Sequence, residues 1–220
     1  MPSLPLTYTS GHFKFYYTTN DSITTNNVTL ADIAATAVIL NNAWNDFTTN
    51  FIEPKSYLSS NNEKLIDVYV YDLGSGLYGQ TSSYWNYIEL NSNQVVSDYY
   101  KRKTTPVHEL FHRVQYNYGY ISGTSNMSWA VEGTASWSQK YLASDVGDWM
   151  QRMNQGLSIT DTDLIANRSY NACHFWCYLG QRTTNGEYGG IEKDFIKQTW
   201  YQYSTNGHNM KMQLIVLLNQ

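Results

Sequence analysis

Thr105-Pro106-Val107-His108-Glu109-Leu110-Phe111-His112 is the stretch on which the reading of this chain turns. From about Thr104 onward, Val107, Leu110, Phe111 and Val114 recur at helical spacing, so the segment is expected to be a helix with an apolar underside, Pro106 falling just ahead of the pattern. Two histidines four residues apart on a helix lie one turn apart on the same face, where both imidazoles reach one metal ion at about 2.0–2.1 Å. Glu109 projects about 100° round the axis from His108, beside such a metal and free to handle a water molecule. The competing reading is a surface helix carrying two histidines and a salt-bridged glutamate. The apolar neighbours and the low overall charge argue against it.

Nineteen residues intervene between His112 and Glu132, which stands in Ser128-Trp129-Ala130-Val131-Glu132-Gly133-Thr134-Ala135-Ser136-Trp137, itself helical in pattern. In this region the chain resembles the gluzincin zinc peptidases, thermolysin-like and aminopeptidase-N-like, in which HExxH is followed at this distance by a glutamate on a second helix. The text WxxEGTAxW is similar to their WxxEGxA glutamate helix. The resemblance implies that His108, His112 and Glu132 hold one catalytic Zn2+, that Glu109 is the general base and acid, and that Gly133 and Ala135 let the two helices approach closely.

Its other implications are looser. Thermolysin-like enzymes orient a zinc histidine with an aspartate four positions after the ligand glutamate; here Ser136 stands in that place. Family members lay extended substrate along an edge strand ahead of the active helix, which would be residues 83–91 here, but the amine-reading GxMEN motif of the aminopeptidases is missing. Glu89 therefore reads as a solvated strand residue, and endopeptidase activity is the expectation. Tyr170, at the start of a helix near 169–183, matches the tyrosine that hydrogen-bonds the oxyanion, and His174 is its rival.

Working outward, residues 12–18 and Leu65–Asp72 read as strands, the second alternating and β-branched. Between them, Thr29 and Asp32 resemble a capping box before a helix whose Ile33, Ala37, Leu40, Trp44, Phe47 and Phe51 form one apolar stripe. Helical patterns recur near 126–143, 169–183 and 190–203. Strands first and helices later predict one α+β domain over 1–220 in two lobes, and the resemblance implies that the fold is zincin-like. Its N-terminal lobe, 1–120, would hold a mixed sheet with its backing and HExxH helices, and 121–220 would be a mainly helical lobe.

With 220 residues, 42% hydrophobic and 15% charged, the chain can bury a sizeable core. A net charge of −4 provides no electrostatic footprint for nucleic acid. No apolar run of membrane-spanning length occurs. Met1-Pro2-Ser3-Leu4 begins no signal peptide, which leaves a cytoplasmic protein or one whose leader is removed; the 20 Tyr and 7 Trp, with abundant Asn, Ser and Thr, favour the second, a secreted protein. Four Asn-x-Ser/Thr sequons (Asn20, Asn27, Asn126, Asn167) are what this composition yields by chance. Cys173 and Cys177, one helical turn apart, read as two small buried hydrophobes.

The expected partner is therefore a peptide or protein substrate. Two rivals remain: a non-catalytic zinc-stabilised binding protein gripping ligands with its aromatics, and a zinc hydrolase of a non-peptide amide or ester.

Overall fold

Strict alternation builds the sheet. In β2 (Phe13–Tyr17) every second residue is buried, and β4 (Lys64–Tyr71) buries Ile66, Val68 and Val70 on the same face. The computed structural model describes residues 2–58, 64–123, 127–159, 164–182 and 192–207. Between these two parallel strands runs α1 (Leu30–Asn50), whose Thr29 cap accepts the Asp32 amide as the capping box requires. Its stripe of Ile33, Ala37, Leu40, Trp44 and Phe47 is buried among the strand residues. A hairpin strand, β1 (Leu6–Ser10), pairs antiparallel with β2, and a two-residue strand, β3 (Tyr57–Leu58), flanks β4. β1 is half polar and largely exposed, so its pattern carried no signal.

The expected third strand, 83–91, is only half strand. Tyr87–Asn91 (β6) pairs parallel with β4, but residues 83–86 bend away. The cause is Arg113, fully buried beneath them. Its guanidinium donates to the carbonyls of Ser82 (3.0 Å) and Trp85 (2.6 Å), to Asn86 Oδ1 (3.0 Å) and, through Nε, to the Lys55 carbonyl (2.7 Å). Carbonyls turned to a cation are lost to strand pairing. β6 is also an interior strand, not the edge. The order is β1-β2-β4-β6-β5, and the edge beside β6 belongs to β5 (Gly79–Thr81), antiparallel to it, with β1 at the opposite edge. Glu89, expected in solvent, is buried, and it accepts hydrogen bonds from Tyr71 Oη and Gln80 Nε2, both at 2.5 Å.

The HExxH helix, α2 (Lys101–Asn117), begins earlier than expected, so Pro106 lies inside it. Asp98 accepts the amides of Tyr100 and Lys101 and so starts the helix upstream of the proline, which forfeits one backbone bond. The short basic run at its start is neutralised: Lys101 pairs with Asp148, Arg102 with Asp32, and Lys103 with Asp145. Beyond the turn at Gly119 and Gly123, both at positive φ, come α3 (Ser128–Leu142), α4 (Asp148–Ser158), α5 (Cys173–Arg182) and α6 (Glu192–Thr205). The sequence reading did not anticipate α4; of its residues only Gly156 is buried.

The chain is thus α+β, with helices against a mixed sheet, and its buried cluster runs unbroken from Phe13 through Phe111 and Trp137 to Trp200. Cys173 and Cys177 are buried, unbridged and 3.9 Å apart. No helix among the described residues is long and apolar enough to cross a membrane. Residues 190–191 of the last expected helix and the Asn126 sequon lie outside the described residues.

Candidate metal centre

Two tryptophans set the rotation of α3. Trp137 stacks on Tyr141 and meets Phe51 and Phe111 beneath α2, while Trp129 stacks on Trp176 of α5 at 5.4 Å. Anchored on both sides, α3 turns Glu132 toward α2. Glu132 Oε2 lies 3.1 Å from His108 Nε2 and 3.5 Å from His112 Nε2, and the two imidazole nitrogens are 3.1 Å apart. Ligands held tetrahedrally at about 2.0–2.2 Å from a zinc ion stand about 3.3–3.6 Å from one another. The observed triangle has those proportions, and two imidazoles with one carboxylate form a donor set that suits zinc.

Gly133 does not serve the α2–α3 contact expected of it. A Cβ there would meet Trp176 Cδ1 at 2.8 Å and Ala172 Cβ at 3.0 Å, so the glycine admits α5. Ser136, in the place of the orienting aspartate, is buried, and among the described residues neither its hydroxyl nor His108 Nδ1 has a hydrogen-bond partner. The residue that orients a histidine was missed. His112 Nδ1 lies 2.7 Å from Gln115 Oε1. Gln115 Nε2 donates to the Val131 carbonyl (2.8 Å) and to Thr134 Oγ1 (2.9 Å). A carbonyl only accepts, so the amide cannot be turned round. Gln115 Oε1 must then receive a proton from Nδ1, so that in the neutral imidazole the Nε2 lone pair faces the triangle. The (i, i+3) spacing to His112 was the available signal.

Glu109 is buried beside the triangle but contributes no corner to it. Burial, with Glu132's charge adding and His112 opposing, pushes its carboxyl from the ordinary 4.5 up to about 7. Burial works against charge on both other partners, yet attraction prevails: Glu132 holds His112 up to about 9, and the histidines hold Glu132 well below the usual carboxylate range. Burial and His112's charge keep His108 low. The proton of this cluster thus resides on His112, where a divalent cation would compete for it.

The cleft over this centre has two pockets, of about 170 Å³ on the His108 side and about 310 Å³ on the His112 side, meeting at Glu109, Gly79 and Tyr170. The edge strand β5 forms one wall. A Cβ on Gly79 would sit 3.0 Å from Thr105 Cγ2 and 3.2 Å from Glu109 Oε1, so only a glycine lets the strand pass this close. Tyr170 is brought to the site as expected: its ring stacks on His108 at 5.5 Å. Burial and the charges of Glu132 and Glu109 drive its pKa far up, keeping a protonated phenol at neutral pH. His174 is not in the cleft. It is held by the Asn171 carbonyl (2.7 Å) and Arg168 (3.2 Å), against Gly156 of α4, and is a packing residue.

No family model, curated protein or solved structure matches the chain.

Proposed function

We propose that the chain is a zinc-dependent peptidase of gluzincin type on a zincin-like α+β fold, cutting within peptide chains. One observation carries this reading: a buried carboxylate, Glu109, faces an open cleft beside a metal triangle without belonging to it. A structural zinc site is closed by four protein ligands and needs no adjacent base. Here the protein provides three ligands and a carboxylate whose pKa is suited to moving protons near neutrality.

A zinc ion held by His108, His112 and Glu132 would supply Lewis acidity, lowering the pKa of water and polarising a carbonyl. Glu109 accepts the proton of the attacking water and delivers it to the leaving amine. The Tyr170 hydroxyl donates to the developing oxyanion. β5, whose outer edge pairs with no strand among the described residues, binds extended substrate by strand addition, and its Gln80 is fixed to the buried Glu89 beneath.

The test is a peptide-library digest at neutral pH, with and without chelator, alongside elemental analysis. About one zinc per chain and chelator-sensitive cleavage are expected. Glu109→Gln is expected to keep the metal and lose at least about 100-fold in turnover. A Glu109→Gln protein with near-full activity refutes the mechanism, and a chain with no metal affinity refutes the site.

A further inference from the structure

The pocket on the His108 side contains a cation that the chemistry above leaves unused. Arg152 reaches from α4 into the space lined by Gly79, Thr105, Gln139 and Tyr170. Its guanidinium carbon sits 4.6 Å from the centre of the Tyr170 ring. Asp148, one helical turn earlier, is the natural partner by spacing. Its carboxylate, however, is taken by Lys101 at 2.9 and 3.0 Å and by Thr104 at 3.1 Å. Among the described residues no carboxylate lies within 4.0 Å of Arg152. Beside it, Gln139 is 8% exposed and its side-chain amide has no hydrogen bond among the described residues.

Accepting the peptidase reading, we propose that Arg152, with Gln139 beside it, is the specificity determinant of this cleft and receives a carboxylate carried by the substrate. A guanidinium presents a fork of N–H donors matched to a carboxylate, and an adjacent amide adds another donor. A divalent ion at the triangle offsets Glu109 and Glu132, so Arg152 leaves the cleft net positive and attractive to anions. Reach defines the position. Separations of 5.5 Å from His108 to Tyr170 and 4.6 Å from Tyr170 to Arg152 hold the guanidinium within about 10 Å of the first ligand, about three residues of extended chain. The carboxylate therefore belongs to a residue close to the cleaved bond, as an Asp or Glu side chain or as the peptide's own C-terminus.

One peptide made in four forms tests this: a neutral amide, the free acid, an amide with Glu at each position flanking the bond, and the same with Lys. Wild-type protein is expected to cleave an acid form at least tenfold more efficiently than the neutral amide. A free-acid preference marks a carboxy-terminal exopeptidase, and a Glu preference marks an endopeptidase for acidic sequences. R152Q is expected to erase the ratio while keeping kcat/KM for the neutral amide within threefold, and R152E to shift preference to the Lys form. Equal loss on every substrate in R152Q, or no preference in wild type, overturns the proposal and leaves Arg152 as packing for Tyr170. Calorimetry on E109Q protein reads binding without turnover, acid against amide, with and without R152Q. A chain that binds no metal and cuts nothing defeats the peptidase reading alone, because acid-over-amide binding still decides the role of Arg152.

Discussion

Gln115→Leu removes the hydrogen bond that fixes His112 while preserving side-chain volume. In the native protein the amide is fully buried; it accepts from Nδ1 at 2.7 Å and is itself held by the Val131 carbonyl and Thr134. In the variant Thr134 Oγ1 retains a donor in Trp200 Nε1 at 3.2 Å, so the main loss falls on the imidazole. Deleting such an outer partner costs about 10–100-fold in metal affinity, or about 1.4–2.7 kcal/mol. An orphaned buried N–H costs stability of about 1–3 kcal/mol as well. Titration of the metal-free variant with zinc against a chromophoric chelator reads the first quantity, and urea unfolding reads the second. Gln115→Glu separates them: its carboxylate still accepts from Nδ1, so affinity should stay within about threefold of wild type, while loss of the two donors lowers stability. An unchanged zinc affinity in Gln115→Leu would refute the argument that Gln115 sets the tautomer of His112.

Three further outcomes are expected. Gly79→Ala drives a methyl group against Glu109 and Thr105, so kcat should fall while zinc content is unchanged; a variant of wild-type activity shows that β5 does not crowd the base. Gly133→Ala meets Trp176 at 2.8 Å, and overpacking of this kind lowers stability by about 1–3 kcal/mol, read as a lower urea midpoint. As a base, Glu109 works only when ionised, so kcat/KM should rise with pH along an acid limb between 4.5 and about 7, the metal's charge moving it toward the lower end. Zinc content measured at each pH separates that limb from protonation of His112, which holds its proton up to about 9 and releases metal as pH falls. A flat profile across this range contradicts the assignment of the base.

Local periodicity was legible without coordinates. The stripe of α1, the alternation of β4, and the one-turn spacing of His108 and His112 follow from residue order, because side-chain direction repeats with a fixed period in helix and strand. Glu132 was legible through its spacing and flanking tryptophans, and its proximity to both histidines is in the structure. The edge strand was misplaced for a physical reason: three residues with a glycine have too little pattern to be seen, while the richer 83–86 segment is pulled out of strand pairing by a buried arginine remote in sequence. Glu89, Gln115 and Arg152 share that limit. Whether a polar side chain meets water, a histidine or an empty pocket depends on which distant elements pack against it, and no local period encodes that. Sequence alone thus determined which face of one helix carries His108 and His112, and the layers around it. Tertiary packing decided which strand borders the cleft, what orients His112, and that a guanidinium with no carboxylate partner among the described residues stands in the pocket beside His108.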